Sequence, residues 1–154
     1  MDLAELRLSK RVPGPATASV RTIDDRRIMW IEVVGDDLSG APLPASASGL
    51  IEDAIDTACA MRLPVVLVLA TSGADINEGI PALHGWGRVA GALVRASGVV
   101  PTLALVDGPA VSGPALLLGV VDLTVMTESS YAFVNGTVMV EQFTGVRIST
   151  EELG

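Results

Sequence analysis

Two glycine-bearing stretches hold the residue types that could do chemistry: Ser72-Gly73-Ala74-Asp75-Ile76-Asn77-Glu78-Gly79 and Asp107-Gly108-Pro109-Ala110-Val111-Ser112-Gly113-Pro114-Ala115. Each comes after an aliphatic run, so each is expected to end a buried strand with backbone amides facing a cleft. Glycine and other small residues let bare N–H groups approach a ligand oxygen closely. In the second stretch those groups would also stand at a helix N-terminus, where negative charge is favoured. Pro114 suits the first helical turn and has no N–H, which leaves Ser112 and Gly113 as the donors there. Together the stretches predict an oxyanion hole, and a thioester enolate is its natural guest. Preorganised amides in a dry cleft need no rearrangement as charge grows, and losing one costs about 3 kcal/mol.

Other chemistry-bearing side chains are sparse. His84, the only histidine, falls in the helical segment Leu83-His84-Gly85-Trp86 and is read as packing rather than as a base. Arg88 and Arg95 share one helix face, so they either meet phosphates or face solvent or a subunit. Asp122 and the pair Glu151-Glu152 have no proton-transfer partner in sequence and are read as structural or solvated. The single cysteine, Cys59, is read as a small buried hydrophobe, and no disulfide framework or cysteine-based zinc site is expected.

Strand and helix patterns alternate around these stretches. Residues 1–19 carry no sustained period and are expected to form an N-terminal arm ahead of one domain at 20–154. A β-branched run over 27–34 predicts a strand, and 35–48 a loop. Leu50, Ile51, Ala54, Ile55, Ala58 and Met61 recur at helical steps, with Ser48 as the expected N-cap and Glu52, Asp53 and Asp56 near the wet side. Pro64 opens the aliphatic run 65–70, of the kind covered on both faces in parallel sheets. Ile80, Leu83, Gly87, Ala90 and Val94 make the next helical stripe. A second run at 101–106, a short helix at 114–119, strands at 121–126 and 130–134 and a helix at 136–143 complete an α/β domain with loops gathered at strand C-termini.

Composition narrows the classes. The chain has 154 residues, long enough to bury a core as one domain, and 49% of them are hydrophobic. A formal net charge of −8 and a pI near 4.4 argue against nucleic acid and anionic membrane surfaces as partners. The apolar runs fall short of the roughly 20 residues a bilayer needs, and no secretory signal begins at Met1, so a cytoplasmic protein is expected. A mean hydropathy of +0.52 with 3% aromatics implies apolar surface for burial against another subunit.

The motifs L-A-T-S-G-A-D-I-N-E-G, V-R-A-S-G-V-V-P, D-G-P-A-V-S-G-P-A, V-V-D-L-T-V-M, Y-A-F-V-N-G and F-T-G…E-E-L-G stand in family order over residues 66–154. In them the chain resembles the N-terminal, acyl-CoA-binding domain of the biotin-dependent acyl-CoA carboxyltransferase β subunit family. The resemblance implies the crotonase-like fold, an α/β spiral of β-β-α units. It also implies transfer of carboxyl from biotin on a carrier protein to an acyl-CoA, without a metal, in company with a second crotonase-type domain. Ser112 and Gly113 match the glycine pair that supplies the family's hole. Gly73, Ala74, Asp75, Ile76, Gly108 and Ala110 match substrate-side positions, with Phe133, beside Tyr131, and Gly136 beneath the acyl group. The wider crotonase group implies Ala74 and Gly113 as its two amide donors. Its hydratases place acids where this chain has Leu116 and Thr137, so water addition is excluded.

Three positions depart from the family: Asp75 replaces an arginine, Ala70 an aspartate and Ser112 a glycine. Two further readings therefore stand beside the carboxyltransferase component. One is a biotin-independent decarboxylase of malonyl-type thioesters, since loss of CO2 leaves the same enolate. The other is a non-catalytic scaffold for an active carboxyltransferase. The thioester is on CoA or on a carrier protein. The chain stops inside a motif the family continues, which is expected of a fragment or of a split subunit.

Overall fold

The computed structural model describes residues 10–11, 14–35 and 40–154. Along them run β1 (Lys10–Arg11), β2 (Ala16–Ile23), β3 (Arg26–Val33), β4 (Ala41–Leu43), α1 (Ala45–Met61), β5 (Val65–Ala74) and α2 (Ile80–Ala96). Then come β6 (Thr102–Val111), α3 (Gly113–Leu117), β7 (Leu123–Met126), β8 (Tyr131–Phe133), α4 (Thr137–Thr144) and α5 (Thr150–Leu153). The main path of the sheet is β1-β2-β3-β5-β6-β7, with β4 added to β5 and β8 to β6. The pairs β1/β2 and β2/β3 are antiparallel and the rest parallel. The β2–β3 hairpin turns through Asp24 and Asp25, both at positive φ, the backbone that two-residue primed turns require.

In the sheet, β5 and β6 change neighbours halfway along. Val65–Leu69 of β5 pair with β3, whereas Thr71, Gly73 and Ala74 pair with β4. Leu103 to Val106 of β6 pair with β7, whereas Pro109 to Val111 pair with β8. The β5/β6 register shifts between Leu69 and Thr71, at the level of that change. Such irregularities bend a strand and re-aim the residues beyond them.

The core lies between the sheet and the α1–α2 pair. Ile31, Val33, Leu43, Leu50, Ile51, Ile55, Leu67, Leu69, Val89 and Leu93 are fully buried there, and each large aliphatic contributes about 1.5–3 kcal/mol by leaving water. Two helices can cross closely because small residues meet: a Cβ on Gly85 would lie 2.7 Å from Ser48 Cβ and Oγ. Ion pairs lace the outside of this crossing. Glu52 pairs with Arg88 and with Arg95 at 3.7 Å, and Arg95 meets Asp56 at 3.0 Å.

Several expectations are corrected. Residues 1–9 and 12–13 of the expected arm lie outside the described residues, but Ala16 and Ala18 belong to β2 and are buried. Of the expected loop 35–48, residues 36–39 lie outside the described residues, and 41–43 form β4. The helix begins at Ala45 after Pro44, so Ser48 is buried inside its first turns rather than capping it. The stripe Ile80, Leu83, Gly87, Ala90 and Val94 faces outward; Ile80 is 81% and Leu83 66% exposed. The buried face of α2 is Ala82, Gly85, Trp86, Val89, Ala92, Leu93 and Ala96. That helix is apolar on both sides, and the close crossing selects its small-residue face for the core.

Candidate oxyanion site

The first glycine stretch is strand as far as Ala74, because β4 provides ladder partners there. Gly73 sits at φ +108, a backbone that glycine adopts without strain. Its N–H donates to Thr71 Oγ1 at 3.1 Å, and that hydroxyl donates to Ala41 O at 2.6 Å. Two residues on, Asp75 N–H donates to Leu43 O at 2.9 Å. Ala74 is the residue that pairs with Leu43, yet the Leu43 carbonyl is taken by Asp75 N–H, so in this parallel ladder the Ala74 N–H points away from β4. The loop beyond is self-contained: Asp75 Oδ1 accepts from Asn77 N at 2.9 Å and Asn77 Nδ2 at 3.0 Å. Glu78 Oε2 accepts from Ala45 N at 2.7 Å, placing a carboxylate at the N-terminus of α1. Ile76 is 88% exposed.

The second stretch is strand to Val111. Ser112, at φ +65, turns the chain into α3. The expectation that Ser112 supplies a free donor is corrected: its N–H donates to Phe133 O at 2.9 Å, completing the β6/β8 pairing. Gly113 N–H, the first of α3, has no acceptor among the described residues. Gly113 also rests on Trp86, for a Cβ there would lie 2.9 Å from Trp86 Cγ. The two stretches meet: a Cβ on Gly73 would lie 3.1 Å from Val111 O and 3.4 Å from Ser112 Cβ. Ala74 and Gly113 are thus the two small residues whose amides flank this junction.

The remaining expected residues divide into two groups. Gly108, at φ +137, packs where a Cβ would lie 3.1 Å from Ala70 Cβ, so Ala70 fills the space beneath the β6 bend. Ala110 is fully buried, paired with Thr71 and Ala132, and frames the junction through its backbone. Phe133 stacks on Tyr131 with centroids 5.5 Å apart, and a Cβ on Gly136 would lie 3.9 Å from Phe133 Cε2. Arg88 and Arg95 are engaged by Glu52 and Asp56. His84 is exposed on α2. Asp122 Oδ2 accepts from Thr102 N at 2.7 Å and Thr102 Oγ1 at 2.9 Å. Those two bonds, the backbone one first, hold its carboxyl below the ordinary value. Burial first, then the Asp56 carboxylate, push the half-buried Cys59 thiol up.

Sequence reasoning missed Thr71 and Leu43, which hold the first bend, Glu78, which ties the loop beyond it to α1, and Phe133 as the acceptor that occupies Ser112. The hydroxyl of Thr71 two residues before Gly73 was a readable signal; the β4 and β8 acceptors come from distant segments and were not. An open cleft of about 820 Å³ is lined by Thr17, Glu32, Pro42, Pro44 and Asp75 among others. It adjoins the β4 side of the bend and does not include Gly113 or Phe133. Among the described residues no group of three His, Cys, Asp or Glu side chains could hold a metal ion, and no helix is long and apolar enough to cross a membrane.

The carboxyl transferase domain family matches residues 27–154. The biotin-dependent acetyl-/propionyl-coenzyme A carboxylase beta6 subunit of Mycobacterium tuberculosis (strain ATCC 25618 / H37Rv) is 38% identical over 147 residues, 96% of this chain and 31% of that protein. The methylmalonyl-CoA carboxyltransferase 12S subunit of Propionibacterium freudenreichii subsp. shermanii is 30% identical over 115 residues, 75% of this chain and 22% of that one. The chain therefore spans less than a third of these relatives. The crystal structure of transcarboxylase 12S, a hexamer with hydrolysed methylmalonyl-CoA bound, superposes with a TM-score of 0.87 at 26% identity, covering 91% of this chain and 27% of that chain. The expected crotonase-type α/β fold is the observed one. A Pseudomonas malonate decarboxylase heterodimer shares the fold with a TM-score of 0.81 at 18% identity, over 94% of this chain and 68% of that chain.

Proposed function

Because this chain belongs to the carboxyl transferase domain family, we propose that it is the acyl-thioester half of a biotin-dependent acyl-CoA carboxyltransferase. It binds an acyl-CoA so that the thioester oxygen lies at the junction of the two glycine stretches. The observation that carries the reading is the close packing of Gly73 on Val111 and Ser112, which brings together the stretch with Ala74 N–H, turned away from β4, and the stretch with Gly113 N–H, without an acceptor among the described residues. An enolate oxygen there takes two charge-assisted hydrogen bonds from fixed donors. Small residues at both strand ends leave room for the oxygen, and Phe133 and Gly136 border the acyl side.

Carboxybiotin, carried by a partner, would supply the activated carboxyl group; no residue of this chain is assigned to it. This chain's own work is to bind the thioester, orient its α-carbon and hold charge on its oxygen. A second crotonase-type domain or subunit and a biotin carboxyl carrier are the partners of this reading, and the cytoplasm its place. The apolar residues exposed on α2 and α4 support an assembly.

The test is native co-purification of the chain with its partners, and then carboxyl exchange with malonyl-CoA and propionyl-CoA, with and without avidin. Avidin-sensitive exchange supports the proposal. Release of CO2 from malonyl-CoA that avidin leaves intact replaces it with a decarboxylase, and an assembly in which this chain neither binds nor turns over acyl-CoA reduces it to a scaffold.

A further inference from the structure

We infer that Thr71 is a positioning residue whose buried hydroxyl sets the direction of the Ala74 amide. The inference rests on the acyl-thioester reading above. Thr71 stands between two irregularities of the sheet. Across β4, Thr71 pairs with Ala41 but Gly73 pairs with Pro42, so Ser72 is an extra residue; across β6, the register slips between Leu69 and Thr71. A bulge of this kind leaves ladder groups without partners, and Pro42 cannot donate.

The Thr71 side chain, fully buried, fills that gap. Its hydroxyl gives its proton to Ala41 O at 2.6 Å and receives Gly73 N–H at 3.1 Å. One hydroxyl has one donor and two acceptor sites, so a single side chain holds both edges of the bulge. With Gly73 N–H tied toward β4 on one side and Asp75 N–H tied to Leu43 O on the other, the intervening Ala74 N–H has no freedom to turn back. A threonine is stiff about χ1, so its oxygen is a fixed reference. Without it, Gly73 at φ +108 is a hinge, and the amide that should face the thioester oxygen loses its direction. Misplacement of about 1 Å costs on the order of a hundredfold in rate.

The experiment uses the full chain and its native assembly with three variants, Thr71→Val, Thr71→Ser and Thr71→Cys. Amide hydrogen exchange at Gly73 and Ala74, resolved by NMR, reports the geometry; kcat and KM for carboxyl exchange with propionyl-CoA report the chemistry. Thr71→Val is expected to speed Gly73 exchange about tenfold. It should also lower kcat about a hundredfold with KM within about threefold of wild type. Thr71→Ser should restore both, which a loss of packing alone would not allow. If Thr71→Val does not fold, Thr71→Cys, which keeps the volume with a weak donor, should show the same faster exchange. Wild-type exchange and kcat in the valine or cysteine variant overturn the inference, as does a serine variant as impaired as valine. An assembly in which wild type uses neither malonyl-CoA nor propionyl-CoA defeats the acyl-thioester reading, and the exchange rates then still decide whether Thr71 sets this amide.

Discussion

Asp75 stands directly after the Ala74 amide and brings a negative charge to the edge of the proposed oxyanion site. Its local reason is visible: Oδ1 closes a turn by accepting from both nitrogens of Asn77, a role aspartate and asparagine fill equally. Asp75→Asn therefore removes the charge and keeps the turn. Stability is expected to stay within about 0.5 kcal/mol of wild type, checked by urea denaturation. Affinity for propionyl-CoA, checked by titration calorimetry, should rise about threefold at low salt and converge with wild type at high salt. The sequence showed Asp75 as a departure from its family; only the bonds to Asn77 showed what the aspartate does instead. Ser112 teaches the converse. Its amide was legible as a donor from position alone, yet the Phe133 carbonyl, from a strand well downstream, already holds it.

At the scale of elements, the joins between strands are held by side chains standing in for ladder bonds. Asp122 fixes the start of β7 to the start of β6 through Thr102 N and Oγ1, and Asp122 N–H donates back to Thr102 Oγ1 at 3.1 Å. These bonds favour the ionised carboxyl and depress its folded value. The stability they contribute is present above the unfolded value, about 3.9, and is lost as pH falls through the lower folded value, where the unfolded chain binds the extra proton. In Asp122→Asn the acid limb of the stability curve below about pH 4 is expected to flatten, measured by urea unfolding across that range. Element types were legible where one periodicity ruled, as in β3 and α1. Their limits were not: β5 and β6 run past the expected loop starts because β4 and β8 arrive to pair with them, and α2 presents two apolar faces between which only packing chooses.

At the scale of the whole molecule, the described residues leave large apolar side chains uncovered on α2 and α4: Ile80, Leu83, Val138 and Phe143 are 81%, 66%, 68% and 83% exposed. A fold that needed them for its own core would have buried them, so substituting them should spare the fold and weaken the assembly. Leu83→Glu and Phe143→Glu are each expected to change stability by less than about 0.5 kcal/mol while reducing co-purification with partner subunits, measured by analytical ultracentrifugation. By itself the sequence determined the α/β class and the two glycine stretches, because aliphatic runs, glycines and Pro114 act locally on the backbone. The tertiary structure alone decided which amides remain free, because an N–H is a donor to a ligand only if no carbonyl from elsewhere in the chain has taken it. Among the described residues Gly113 kept its amide and Ser112 did not, and Thr71 and Leu43 hold the amides on either side of Ala74 only once β4 and β5 are paired.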